Sequence, residues 1–154
     1  MNVYYFDSSA IVKRYISEAG TTWVMATTDR ASGHDILVSL LARVEVPAAI
    51  FKRRREGSLT ALDATRAGDD FANDFDNQYQ PTDVTRRLVE QAAALAEKHG
   101  LRGYDAVQLA TALEVQAVRD SLALSRLIFV SADGDLNAAA QSEGLLVEDP
   151  NDYP

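Results

Sequence analysis

Along the chain, short continuous apolar runs alternate with longer segments whose apolar residues recur every three or four positions. The runs are Val3-Tyr4-Tyr5-Phe6, Ile36-Leu37-Val38, Leu127-Ile128-Phe129-Val130-Ser131 and Leu145-Leu146-Val147. They read as buried strands. They are apolar throughout rather than at alternate positions, which predicts a parallel sheet covered by helices on both faces.

The intervening segments carry helical periodicity. Ser8 or Ser9 starts a first helix as its N-cap, with Ala10, Ile11, Val12 and Tyr15 as its apolar content and Gly20 as its end. A second short helix covers about 22–31, closed by Gly33. Ser39 caps a helix over roughly 40–55, with Leu40, Leu41, Val44, Ala48 and Phe51 as its apolar face. Pro47 lies inside that pattern and predicts a kink or a break, because it removes a backbone donor. Thr60 opens the next helix in a capping box with Asp63 in the usual Glu position, so residues 40–77 form a helical hairpin. Pro81 breaks the chain, and any strand near Val84 is very short. Helices follow over 85–99, closed by Gly100, and from about Tyr104 to Arg119. Asp133 caps a last helix that runs to about Ser142. The fold class is therefore α/β, a three-layer α/β/α sandwich on a parallel sheet of four to five strands. Residues 1–149 form one domain, and the acidic, proline-broken tail at 150–154 reads as an irregular surface segment.

A chain of 154 residues buries about 70% of the surface its unfolded form exposes and needs no staples. It has no cysteine, which excludes disulfides and thiolate metal sites. Met1 leads almost directly into the first strand, with no basic segment ahead of a long apolar run. No stretch approaches the roughly 18 apolar residues that span a bilayer. A cytoplasmic protein with no membrane partner is the expectation. The net charge of −8, from 23 acids against 15 bases, taken alone argues against a nucleic-acid partner. Its distribution alters that picture, because acids can share one cleft and bases cluster at Lys52-Arg53-Arg54-Arg55.

In open α/β sheets, ligands bind beyond the carboxyl ends of the strands, where strand order reverses. The first strand ends at Asp7, followed by Ser8 and Ser9. The second ends at Ser39, and Glu45 follows nearly two turns into the next helix. Asp105 sits in the first turn of the helix at 104. The strand at 127–131 ends in Ser131-Ala132-Asp133-Gly134-Asp135. In a parallel sheet these positions open on one edge, so four acids from distant parts of the chain can converge. Such a cluster repels itself unless cations neutralise it. Hard divalent ions with oxygen ligands, Mg²⁺ above all, fit it and support two-metal phosphoryl chemistry without a histidine or serine nucleophile. The only histidines, His34 and His99, lie away from these strand ends. Each acid also has a plainer reading: Asp7 and Asp133 as N-caps, Glu45 as a solvated helix acid, Asp105 and Asp135 as first-turn acids that complement a helix dipole. Lys52–Arg55 is either a solvated helix end or a phosphate-facing patch.

Met1 through Glu18, Arg43-Val44-Glu45, the block Leu101-Arg102-Gly103-Tyr104-Asp105-Ala106-Val107-Gln108-Leu109-Ala110, and Phe129-Val130-Ser131-Ala132-Asp133 together resemble the PIN domain. More narrowly they resemble the VapC-type ribonuclease toxins of toxin–antitoxin modules. The Tyr-Asp-Ala-Val-Gln-Leu-Ala block is the most specific piece. The resemblance implies a nuclease that cuts single-stranded or loop RNA with Mg²⁺ or Mn²⁺. It matches Asp7, Glu45 and Asp105 to the three hallmark acids and Asp133 to a more variable fourth. Ser9 and Ser131 match supporting hydroxyls, and Asp135 is an extra acid that could replace Asp133. A homodimer and an antitoxin partner with a basic tail are also implied, and Lys13, Arg43 and the 52–55 cluster are the local bases left for RNA. Two rivals stand beside this reading. One is a PIN-like scaffold that binds without cutting. The other is a phosphate-accepting receiver module, disfavoured because serines follow Asp7 and no lysine lies beyond Lys98.

Overall fold

The four residues of strand β1 (Val3–Phe6) are all buried, and β1 is the centre of the sheet. The computed structural model describes residues 1–154 and adds β2 (Asp35–Ser39), β3 (Gln80–Thr82), β4 (Leu127–Val130) and β5 (Leu146–Glu148). All pairs are parallel, in the order β3-β2-β1-β4-β5. The chain passes from β1 outward to β2 and β3, then returns to β1's other side for β4 and β5. The reversal point lies between β1 and β4, at the residues that follow them, Asp7 and Ser131.

Successive side chains of a strand point to opposite faces, and the two faces carry separate cores. Tyr4 and Phe6 pack with Ile36, Val38 and Val130 beneath α1 (Ser8–Ile11), α2 (Thr21–Thr28), α3 (Ala42–Arg55) and α4 (Ala61–Asn77). Val3 and Tyr5 pack with Leu37, Leu127 and Phe129 beneath α6 (Gly103–Ser121) and α7 (Gly134–Ser142). Helix α5 (Arg86–His99) lies against α6 through Leu88, Ala92, Ala106 and Ala110. The result is the expected three-layer sandwich, with five strands. No helix is long and apolar enough to cross a membrane.

Four local features differ from the sequence pattern. The third strand is Gln80–Thr82 rather than a segment at Val84. It has no apolar run because it is an edge strand, where a proline such as Pro81 is tolerated. Helix α3 has Leu41 rather than Ser39 at its N-cap and runs uninterrupted through Pro47. It buries Ala42, Val46 and Ile50, while Leu40, Val44 and Ala48 of the expected apolar face are exposed. The first helix is capped by Asp7 rather than by either serine, and after Ile11 it tightens into a 3₁₀ turn over Val12–Arg14. The tail is ordered: residues Pro150–Asp152 form a 3₁₀ turn with Pro150 buried, and Tyr153 stacks on Trp23 with ring centroids 4.9 Å apart.

Gly20 makes this docking possible. Its φ is +87°, and a Cβ there would stand 2.4 Å from the Pro150 carbonyl oxygen. Gly20→Ala therefore combines a left-handed backbone with a backbone clash. We expect it to destabilise the fold by on the order of 2 kcal/mol, read as a lower midpoint in urea unfolding. An unchanged midpoint would show that the tail contact is dispensable.

Candidate active site

Asp7 sits where β1 ends and α1 begins. Its backbone N–H donates to the Val130 carbonyl at 3.0 Å, which ties it to the neighbouring strand. Its carboxylate Oδ1 accepts from Ser9 Oγ at 2.7 Å and from the Ala10 N–H at 3.0 Å; Oδ2 accepts from Ser131 Oγ at 2.6 Å. The plain N-cap role and a place at the sheet edge thus coincide in one side chain. At 2% exposure, burial pushes its pKa up to about 7 against the pull of these three donors, and the charge of Asp105 adds to the rise.

The two serines brace the loop after β4. Ser9 Oγ accepts from the Ala132 N–H at 3.1 Å, and Ser131 Oγ accepts from the Asp133 N–H at 3.1 Å. Asp133 then caps α7, its Oδ1 accepting from the Leu136 N–H at 3.0 Å. Asp7 and Asp133 are therefore linked through a single hydroxyl. Asp135, one residue into α7, is exposed and has no partner in this network.

Glu45 reaches the same edge from the first turn of α3. Its Oε1 accepts from Ser8 Oγ at 3.0 Å and from Gln108 Nε2 at 3.0 Å. Burial raises its pKa despite these donors, and Asp105 raises it further. Asp105, in the first turn of α6, is likewise raised by burial and then by the charge of Asp133, with Arg102 opposing. The charge of Asp105 thus bears on Asp7 and Glu45, and that of Asp133 on Asp105. No lysine or arginine forms an ion pair with Asp7, Glu45, Asp105 or Asp133.

No three of these side chains stand as a ready-made ligand shell for a metal ion. The donors to Asp7 and Glu45 fix those two side chains separately. The chemistry of the set still suits a hard divalent cation. All its ligand atoms are carboxylate oxygens, and no base is ion-paired to them, Arg102 opposing at Asp105 without an ion pair. Mg²⁺ is usually held by one or two carboxylates with water completing its octahedron, so a closed protein cage is not required. The histidines are engaged elsewhere, His34 accepting from the Asn2 N–H at 3.1 Å and His99 bonded to Glu143 at 2.7 Å.

A cleft of about 580 Å³ opens beside Glu45 on the α3 side, its lining including Ser8, Ser9, Lys13, Glu18, Lys52 and Arg53. It borders Glu45 but not Asp7, Asp105 or Asp133. Two of its bases are already committed. Buried Lys13 donates to Glu18 Oε1 at 3.2 Å and to the Ala19 carbonyl at 2.9 Å, and Arg53 reaches Glu18 Oε2 at 2.7 Å. Lys52 is exposed, with only Glu56 near it at 3.8 Å, and the exposed Arg43 side chain makes no ion pair. Two residues of this region were not legible as site candidates. One is Asn151, whose Nδ2 donates to the Ala132 carbonyl at 3.2 Å from the docked tail. The other is Gln108, hidden inside the Tyr-Asp-Ala-Val-Gln-Leu-Ala block.

Comparison with known proteins gives a consistent picture. The family model described as PIN domain matches residues 4–141. Ribonuclease VapC45 of Mycobacterium tuberculosis (strain CDC 1551 / Oshkosh) is 38% identical over 115 residues, which cover 75% of this chain and 78% of that protein. Among solved structures, PAE2754 from Pyrobaculum aerophilum superposes with a TM-score of 0.61 at 19% identity, covering 95% of this chain and 90% of that one. VapBC2 from Rickettsia felis, bound to a DNA fragment from their promoter, superposes at 0.60 with 13% identity over 96% and 98%. The two structures share the fold, and the family model and the relative reach further: this chain belongs to the PIN-domain family, in its VapC branch.

Proposed function

We propose that the chain is a Mg²⁺- or Mn²⁺-dependent endoribonuclease, the toxin of a toxin–antitoxin pair, which hydrolyses RNA phosphodiester bonds at Asp7, Glu45, Asp105 and Asp133. The observation that carries this reading is buried Asp7 at the point where strand order reverses, joined through Ser131 to the Asp133 loop, with Glu45 tied by Gln108 to α6 three residues from Asp105. The ribonuclease name of the 38% identical relative supports it.

In this reading Asp7 and Asp105 would hold the principal cation, with Glu45 contributing directly or through water. Asp133 would serve a second cation or orient the attacking water. The chemistry such an ion would supply is polarisation of the phosphoryl oxygen and a lower pKa for the attacking water. Ser9 and Ser131 keep Asp7 in one orientation by donating to both its oxygens. The open cleft beside Glu45 admits a single strand whose bases can splay aside. Lys52 on the cleft, and exposed Arg43, Arg54 and Arg55 outside its lining, are the bases left to meet its phosphates, since Lys13 and Arg53 are committed to Glu18.

The net charge of −8 suits a protein partner with a basic segment better than it suits RNA. With the VapBC2 structure as a similar fold, it supports a cognate antitoxin whose basic tail lies against the acids. A homodimer and a cytoplasmic location belong to the same reading.

The test is RNA cleavage by purified protein with Mn²⁺ or Mg²⁺, alongside Asp105→Asn prepared identically. Fragments from the wild type and intact RNA with the variant are expected. Equal cleavage by both would assign the activity to a contaminant and remove the reading.

A further inference from the structure

The most specific sequence block contains a residue given no chemical role in the reading above. Gln108 follows Asp105 by three positions on α6, so both project from one side of the helix. It is a polar side chain at 2% exposure. Its Nε2 donates to Glu45 Oε1 at 3.0 Å and to Ser8 Oγ at 3.3 Å, while its Oε1 accepts from the Tyr5 hydroxyl at 2.6 Å.

The chemistry of the partners fixes which way the amide points. An ionised carboxylate only accepts, so the nitrogen must face Glu45. The oxygen then faces Tyr5, and the phenol must donate. Tyr5 is itself immobilised, fully buried in β1 and stacked on Phe129 with centroids 5.9 Å apart and rings 10° from parallel. A rigid path thus runs from the central strand through a phenol and a carboxamide to one carboxylate oxygen. Ser8 Oγ donates to that same oxygen. Both protein donors converge on Oε1, and none reaches Oε2.

We propose that Gln108 is a positioning residue: braced by Tyr5, it holds Glu45 by Oε1 and so leaves Oε2 as the atom offered to a cation or its water. The proposal rests on the reading of Glu45 as a site acid. Burial alone would explain a glutamine that satisfies a buried phenol. It does not explain why the other end of the amide meets a carboxylate from a different layer of the fold.

A double-mutant cycle separates the possibilities. Gln108→Leu, Glu45→Gln and the double variant are compared in RNA cleavage and in calorimetric titration with Mn²⁺ without RNA. Gln108→Leu is expected to lower kcat and Mn²⁺ affinity by about 10-fold or more, the usual effect of removing a group that orients a ligand, with KM for RNA changed less than about 2-fold. Added to Glu45→Gln, the same substitution should cost less than about 2-fold, because its target is already gone. Tyr5→Phe, which removes only the hydroxyl, should weaken Mn²⁺ binding in the same direction by about 3-fold, and it carries the test if the leucine variant does not fold. Additive losses in the cycle, or Mn²⁺ affinity unchanged in both Gln108→Leu and Tyr5→Phe, would overturn the positioning role while Glu45 keeps its own. Full activity of Glu45→Gln would overturn both, and would trace the failure to the assignment of Glu45.

Discussion

Asp7→Asn is expected to lose RNA cleavage by on the order of 10³-fold or more and, at neutral pH, to make the metal-free protein harder to unfold. The two effects share one cause. The carboxylate is buried at 2% exposure with a pKa pushed up to about 7, so the fold favours its neutral form. An acid raised from about 4 in the unfolded chain lowers stability progressively as pH climbs from about 4 to about 7, and the penalty is then constant. At about 1.36 kcal/mol per unit, the whole penalty is on the order of 4 kcal/mol. Asparagine is isosteric and uncharged. Its oxygen can still accept from Ser9 and the Ala10 N–H, and its NH₂ can donate to the Ser131 hydroxyl, which has acceptor capacity. Wild-type Tm should therefore fall between pH 5 and pH 8, and that of Asp7→Asn should fall less. A higher Tm by about 5 °C or more at pH 8 is expected for the variant. A variant that is inactive and also unfolded would remove the support, because the loss would then report structure and not chemistry.

Chelation is expected to have an effect of comparable size. EDTA should stop cleavage, and excess Mn²⁺ or Mg²⁺ should restore it, because no histidine or lysine bonds to the acids and Ser8, Ser9 and Ser131 are engaged as donors to the carboxylates. The metal should also stabilise the fold by binding the native state alone. It favours the ionised form of Asp7, so its stabilisation should grow as pH rises through about 7. Cleavage that survives exhaustive chelation would call for a mechanism carried by side chains only.

The sheet was legible because its three inner strands, β2, β1 and β4, are apolar at consecutive positions, the mark of strands covered on both faces, and the edge strand β5 keeps an apolar run of its own. β3 was not legible, because an edge strand of Gln80, Pro81 and Thr82 is held by backbone pairing to Leu37, Val38 and Ser39 and carries no apolar signal. The ordered tail was missed for a related reason. Its anchors, Pro150 against Gly20 and Tyr153 on Trp23, are contacts between distant segments, and a local pattern shows only acids and prolines there. Among the candidate residues, Asp7, Asp105 and Asp133 could be placed by topology, since each follows a strand or opens a helix at the same edge. Glu45 depended on the helix phase of α3. Gln108 was within view yet carried no signal, because a glutamine between apolar helix positions reads as an ordinary polar interruption. Only the fold brings Tyr5 and Glu45 to its two ends. Asp135 shows the opposite case, an acid beside the others in sequence that faces solvent in the structure.

The central claim is that Asp7, Glu45, Asp105 and Asp133 form one divalent-cation site. Anomalous scattering from a crystal soaked in Mn²⁺ addresses it directly. The expected result is a peak within coordination distance of carboxylate oxygens of Asp7 and Asp105, lost in Asp7→Asn crystals treated alike. A fully soaked crystal with no peak at this edge, or with its only peak on a distant surface acid, would contradict the account.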